Sequence, residues 1–92
     1  MTVVSTEDAK HRLNDLPGWG IDSGELVKAF TFKDFNQALA FVNRVGAAAE
    51  SAGHHPDIDI RYNKVRLALV THDAGGLTEK DFDLASTINN QV

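Results

Sequence analysis

Residues 57–70 have the sequence DIDIRYNKVRLALV. Apolar and polar residues alternate over residues 57–62, and apolar side chains recur at every second position again from Val65 to Leu69. Because successive side chains of a strand point to opposite faces, this period of two predicts two strands that are each apolar on one face. The polar pair Asn63-Lys64 lies between them and predicts the turn of a β-hairpin.

The flanking sequence supplies a second hairpin and three helices. Residues 18–22 and 25–32 lie on either side of the small turn Ser23-Gly24, which predicts two more strands. Apolar residues recur at spacings of three and four in residues 6–16, in residues 35–51 and after Thr78, so each of these segments is predicted to be an amphipathic helix. Gly53 is placed to end the second helix in a left-handed conformation. The aromatic residues expected in the core are Phe30, Phe32, Phe35 and Phe41.

The predicted order of elements is therefore α-β-β-α-β-β-α. Hairpins rather than crossovers join the paired strands, so we expect a four-stranded antiparallel sheet with the helices packed on one face, in the α+β class. The chain has 92 residues, of which 42% are hydrophobic, and residues 1–92 are expected to form a single domain.

The composition excludes several classes of function. The absence of cysteine excludes disulfides and thiolate metal sites and favours a reducing compartment, so the cytoplasm is the expected location. The formal net charge of −4, with scattered basic residues, argues against direct binding to nucleic acid. No signal peptide or apolar run of membrane-spanning length is present, so we expect no membrane association.

Three of the four histidines lie between residues 50 and 81. An imidazole can both give and take a proton near neutral pH, so such a cluster indicates proton transfer. The histidines occur in the pattern Glu-x3-His-His-Pro-x5-Tyr-x9-His-x8-Asp, which a packed core does not require. The residues of the pattern are Glu50, His54, His55, Pro56, Tyr62, His72 and Asp81.

This pattern resembles the signature of the pterin-4a-carbinolamine dehydratase family. The resemblance extends to Trp19 and to residues 30–36, 62–65 and 84–86. It implies a hydro-lyase that converts 4a-hydroxytetrahydrobiopterin to quinonoid dihydropterin and water in tetrahydrobiopterin recycling, without a cofactor or metal. It also implies self-association into homodimers or homotetramers and a hydroxylase as a pathway partner.

The resemblance also implies roles for individual residues. The elimination needs an acid for the departing hydroxyl and a base for the proton on N5. We expect His54 and His72 to be the acids and His55 to be the base that also positions the substrate. The residues expected to bind the pterin are His54, His55, Pro56, Thr71, His72, Asp73 and Ala74, with Glu50, Asp81 and Trp19 in support.

Three of these residues have structural alternatives. Asp81 is spaced from Thr78 as in a capping box, and it can fill that role and also orient an imidazole. Glu50 is either solvated at a helix end or, four residues before His54, able to hold that ring. Trp19 either packs in the core or lines the edge of the pocket.

Two other functions are compatible with parts of the sequence. Three imidazoles and a water can bind catalytic zinc, but adjacent histidines converge poorly on one ion, and we expect no metal. The alternative from another class is a non-catalytic scaffold or coactivator-like dimerisation module on the same fold. An exposed apolar face on the helix over residues 82–88 would serve either self-association or a foreign partner.

Overall fold

The computed structural model describes residues 2–91. Its helices are α1 (Thr6–Arg12), α2 (Phe35–Ala52) and α3 (Glu79–Asn89), and its strands are β1 (Gly20–Asp22), β2 (Glu25–Thr31), β3 (Asp57–Arg61) and β4 (Lys64–Leu69). Short turns of 3-10 helix follow α1 at Leu13–Asp15 and precede α3 at His72–Ala74. The predicted element order and the α+β class are confirmed. No helix in this part of the chain is long and apolar enough to cross a membrane.

The four strands form one antiparallel sheet in the order β1-β2-β4-β3. The register pairs Leu26 with Leu69, and it pairs both Phe30 and Ile60 with Val65. Side chains that face each other across paired strands share one face of the sheet, so these positions form a continuous apolar surface. The helices cover that surface, and the core lies between the two layers.

Helix α2 shows which aromatic predictions were right. Phe30 and Phe41 are buried, with ring centroids 4.6 Å apart, and Phe32 packs against them. The prediction that Phe35 belongs to the core was wrong, since it is 45% exposed. The buried stripe of α2 runs through positions 38, 41, 45 and 49, and a residue in the first turn at position 35 lies to one side of that stripe.

The connections differ from the predictions in two places. The alternation over residues 65–72 predicts that His72 ends the second strand of this hairpin, but β4 ends at Leu69 and His72 begins the 3-10 turn. A bridge between Thr71 and Gly76 closes this loop and gives it a defined conformation. The hairpin turn is formed by Tyr62 and Asn63 rather than by Asn63 and Lys64, and Tyr62 has a left-handed φ of 54° and is 66% exposed.

Helix α3 packs its apolar face into the core. Phe82 is 3% exposed, and Ala85 and Ile88 are fully buried. Residues 82–88 therefore do not present the exposed apolar face that would serve a partner, because the sheet and α2 already occupy that face.

Candidate active site

The position of His54 follows from the way α2 ends. Gly53 adopts a left-handed conformation with φ 64° and ψ 30°, which a residue without a Cβ does at little cost. Its backbone N–H donates to the carbonyl of Glu50 at 3.2 Å, and the N–H of His54 donates to the carbonyl of Ala49 at 3.1 Å. The chain therefore reverses at Gly53 and directs the side chain of His54 toward α3.

His54 meets Asp81 at the start of α3. The distance from His54 Nε2 to Asp81 Oδ1 is 2.5 Å, the Asp81 side chain is fully buried, and the imidazole is 11% exposed. Asp81 also forms the expected capping box with Thr78, whose backbone N–H donates to Asp81 Oδ2 at 2.9 Å. The carboxylate therefore fills both of the roles considered for it, as helix cap and as partner of an imidazole.

Two buried threonine hydroxyls complete the hydrogen bonding of Asp81. Thr71 Oγ1 donates to Asp81 Oδ2 at 2.8 Å, and it lies 2.7 Å from Thr78 Oγ1. Each hydroxyl has one proton, so the Thr71 proton is committed to Asp81 and Thr78 must donate to Thr71. As a carboxylate, Asp81 can only accept hydrogen bonds, so each group that contacts it must be a donor. Nε2 of His54 therefore carries a proton and donates it to Asp81 Oδ1. The other ring nitrogen, Nδ1, is therefore left for a ligand.

His55 points in a different direction from His54. Its Nε2 lies 2.5 Å from Glu50 Oε1, and both side chains are exposed, at 60% for His55 and 79% for Glu50. Of the two alternatives considered for Glu50, contact with His54 is not found; the carboxylate is exposed at the helix end and contacts His55. The helical i, i+4 relation does not extend past Gly53, where the chain leaves the helix, so the next imidazole is the one that folds back over the last turn of α2.

A cavity of about 270 Å³ brings together five of the residues predicted from sequence. His54, His55, Thr71, His72 and Asp73 line it, together with Gly53, Val70 and Lys80. An adjoining hollow of about 250 Å³ is lined by Thr71, Asp73, Ala74 and Lys80. Lys80 was not among the residues predicted from sequence, and its position immediately before Asp81 in the first turn of α3 is the signal that could have identified it.

Four predicted site residues lie outside these linings. Glu50 and Asp81 contact the imidazoles of His55 and His54 instead. Trp19 is buried in the core, where its Nε1–H donates to Asn89 Oδ1 at 2.9 Å and its ring meets the edge of Phe30. Trp19 therefore packs in the core and does not line the edge of the pocket. Pro56 is half-buried directly after the histidine pair and does not line the cavity. Within residues 2–91, no three His, Asp or Glu side chains are grouped so that they could hold a metal ion.

An ion pair outside the cavity fixes the start of α3 that carries Asp81. The guanidinium of Arg12 donates to both carboxylate oxygens of Glu79, at 2.5 and 2.7 Å, and stacks 4.3 Å from the ring centroid of Phe82. The hydrogen bond from Arg12 lowers the pKa of Glu79, and the same bond raises the pKa of Arg12. This pair ties α1 to the first turn of α3.

The family follows from comparison with known proteins. The family model described as Pterin 4 alpha carbinolamine dehydratase matches residues 2–91. The chain belongs to this family. A relative from Acidobacterium capsulatum, provisionally named a pterin-4-alpha-carbinolamine dehydratase, is 58% identical over 88 residues, which cover 96% of each chain. A relative from Nostoc punctiforme with the same provisional name is 60% identical over 90 residues and 97% of each chain.

Two solved structures share the fold of this chain. The crystal structure of a transcriptional coactivator/pterin dehydratase from Brucella melitensis superposes with a TM-score of 0.92 at 32% identity and covers 98% of both chains. A pterin dehydratase-like protein described as a RuBisCO assembly factor in the alpha-carboxysome superposes with a TM-score of 0.65 at 24% identity, over 79% of this chain and 84% of its own. The second likeness concerns the fold alone.

Proposed function

We propose that this dehydratase family member is an active hydro-lyase that converts 4a-hydroxytetrahydrobiopterin to quinonoid dihydropterin and water. The observation that carries the proposal is the imidazole of His54, whose Nε2 is held by the buried Asp81 while Nδ1 remains for a ligand. Two more imidazoles, from His55 and His72, line the same cavity. Histidines that only packed in the core would not need the proton of His54 to be held on Nε2, and three imidazoles would not need to line one cavity.

The reaction breaks the bond between C4a and its hydroxyl oxygen and removes the proton from N5, while a double bond forms between C4a and N5. The departing hydroxyl takes a proton and leaves as water. His54 donates that proton from Nδ1 as an imidazolium, with its positive charge beside the Asp81 carboxylate. His72 is the second acid. His55, whose Nε2 faces Glu50, accepts the N5 proton.

The loop over residues 71–74 binds the amide-like edge of the pterin. Its residues border both the histidine cavity and the adjoining hollow. Hydrogen bonds within the loop, from the N–H groups of Ala74 and Gly75 to the carbonyl of Thr71 at 3.0 Å, keep this edge rigid before substrate binds.

The proposal is tested by following 4a-hydroxytetrahydrobiopterin by ultraviolet absorbance against its spontaneous dehydration. Wild-type protein should accelerate the reaction, and His54→Ala should lose a factor of about 10² to 10⁴. His11→Ala is the matched control, because His11 is an exposed histidine on α1 that does not line the cavity. If His54→Ala retained full activity, the assignment of this residue as the acid would be wrong.

The setting of the reaction is part of the proposal. Residues 1–92 act as a single domain in the cytoplasm, without a cofactor, in tetrahydrobiopterin recycling alongside a hydroxylase.

The protein self-associates into dimers or tetramers. The support is that β1 and β3 are edge strands, and that Ile58 and Tyr62 on the β3 hairpin are 39% and 66% exposed. Sedimentation analysis of wild type and of Ile58→Asp tests self-association, which the aspartate should weaken.

A protein-binding scaffold is the second candidate. The Brucella relative has both a coactivator and a dehydratase in its description, so one fold is associated with both roles. The complete set of histidines around the cavity favours the enzyme for this chain. A folded wild-type protein that gave no acceleration would favour the scaffold instead.

A further inference from the structure

A groove between α2 and α3 continues from the histidine cavity. Its volume is about 560 Å³, compared with about 270 Å³ for the histidine cavity. Small-molecule sites are typically about 300–1,000 Å³, so the histidine cavity alone lies below that range and the two together lie within it. His54 and Lys80 line both spaces, so the two adjoin each other at these residues.

The chemistry at His54 determines which part of a pterin would enter the groove. The reacting atoms are C4a and N5, and in a substituted pterin the side chain is attached to C6, the carbon bonded to N5. A ring held with C4a and N5 at His54 and its amide-like edge at residues 71–74 therefore directs its C6 substituent away from the loop. The space on that side of His54 is the groove.

The lining of the groove is mixed along its length and has a cation at the end away from His54. Its apolar wall is formed by Ala47, Ala48 and Ala52 from α2 and by Leu84 from α3, with the hydroxyls of Ser51 and Thr87 beside them. Arg44 lies about two turns before Ser51, which at 1.5 Å per residue is roughly 10 Å along the helix. Its Nε donates to the carbonyl of Gln91 at 3.1 Å, which fixes the guanidinium at this end.

The charges in the groove favour an anion. In the described part of the chain, neither Arg44 nor Lys80 is in an ion pair, although the chain carries a net charge of −4. The lining contains one carboxylate, Asp83, which also borders a separate hollow beside Arg12. The two cations outnumber this carboxylate in the lining.

We propose that the groove between α2 and α3 binds a long C6 substituent that is flat or apolar along its length and ends in a carboxylate, with Arg44 as its partner. This substrate class is exemplified by pterins that carry an aminobenzoylglutamate chain at C6. The inference rests on the proposed function, because it assumes that a pterin ring occupies the histidine cavity.

Binding of two stable dihydropterins tests the proposal without requiring turnover. The dissociation constants of 6-methyl-7,8-dihydropterin and 7,8-dihydrofolate are measured by calorimetry on wild type and variants. In wild type, dihydrofolate should bind at least about tenfold more tightly than the 6-methyl compound, since a hydrogen bond to a charged group is worth about tenfold or more in affinity. Arg44→Gln should remove most of that advantage.

A second variant tests the path of the chain through the groove. Ala47→Trp places an indole on an exposed position of the α2 wall, and it should weaken dihydrofolate binding more than binding of the 6-methyl compound. The matched controls are Ala40→Trp, on an exposed part of α2 that does not line the groove, and Lys10→Gln, an exposed cation on α1. Both controls should keep the wild-type ratio of the two dissociation constants.

The possible results separate this inference from the proposed function. Equal affinity for the two compounds in wild type, or a ratio that Arg44→Gln and Ala47→Trp leave unchanged, overturns the role of the groove and leaves the pterin site intact. If folded wild type binds neither compound, the pterin site itself is wrong and the inference falls with it.

Discussion

Two substitutions of Asp81 distinguish its contribution to the stability of the fold from its effect on the proton transfer by His54. The carboxylate is fully buried and accepts hydrogen bonds from Thr71 Oγ1 at 2.8 Å, from the Thr78 N–H at 2.9 Å and from His54 Nε2 at 2.5 Å. Asp81→Ala removes all three acceptor contacts and also the capping box. Asp81→Asn keeps the shape and one oxygen but replaces the other with an NH₂ group.

The expected loss of stability in Asp81→Ala follows from the donors left without a partner. An unsatisfied buried donor costs about 1–3 kcal/mol and a lost N-cap interaction about 0.5–2 kcal/mol, so the sum over the Thr71 and Thr78 contacts is about 1.5–5 kcal/mol. This is a large part of the roughly 5–15 kcal/mol that stabilises a typical domain. At about 4–8 °C per kcal/mol for a chain of this length, it corresponds to a decrease in Tm of about 6–40 °C.

Asp81→Asn should lower the free energy of unfolding less than Asp81→Ala does, and its main effect should be on the dehydration rate. Its amide oxygen can still accept from Thr71 and Thr78, so we expect a loss of about 1 kcal/mol. Its NH₂ group then faces His54 Nε2 and donates to it, which moves the neutral ring's proton to Nδ1 and removes the negative charge beside the imidazolium. The dehydration rate should fall by about 10² to 10⁴ while the protein remains folded.

Urea denaturation followed by circular dichroism measures the stability of both variants, and the ultraviolet assay measures their turnover. A folded Asp81→Asn protein with the wild-type rate would refute the argument that Asp81 fixes the tautomer and charge of His54. An Asp81→Ala protein as stable as wild type would refute the argument that its buried hydrogen bonds stabilise the fold.

The remaining predictions concern other parts of the molecule. His72→Ala should lower the dehydration rate with little change in the urea midpoint, because His72 lines the cavity but is exposed. Gly53→Ala should lose about 1–2 kcal/mol in urea denaturation because its φ is 64°, and Gly53→Asn should lose less. Glu79 has a pKa lowered by Arg12, so its contribution to stability is complete above its ordinary pKa of 4.5 and disappears as pH falls through the lowered value. Denaturation across this range should show Glu79→Gln less stable than wild type at neutral pH, with the difference vanishing in acid; a difference independent of pH would contradict the pairing.

Much of the fold could be predicted from local sequence. The alternation over residues 57–69 and the helical spacing over residues 35–51 were sufficient for the second hairpin and α2, because burying one face of each element imposes those periods. Gly53 ends α2 and Thr78 caps α3 as predicted, since both depend on backbone geometry within a few residues. The exposure of Phe35 could not be predicted this way, because it depends on where α2 lies over the sheet.

The sequence was sufficient to predict which histidines line the candidate site, but not which carboxylate each histidine contacts. The spacing of the histidines identified His54, His55 and His72, and the structure places them around one cavity. Sequence distance suggested Glu50 as the partner of His54, whereas the structure pairs His54 with Asp81, 27 residues away. That contact depends on the docking of α3 against the end of α2, which no local pattern specifies.

The sequence by itself determined the α+β element order, the family and the residues with proton-transfer chemistry, because periodicity, turn residues and the histidine pattern are all local in the chain. Only the tertiary structure decided which carboxylate meets which imidazole, that the apolar face of α3 is covered by the core, and that a groove with Arg44 at its far end opens from His54. These features arise where α2, α3 and the loop over residues 71–76 meet. Their geometry depends on how the helices pack on the sheet, which is the sum of many weak contacts spread over the whole chain.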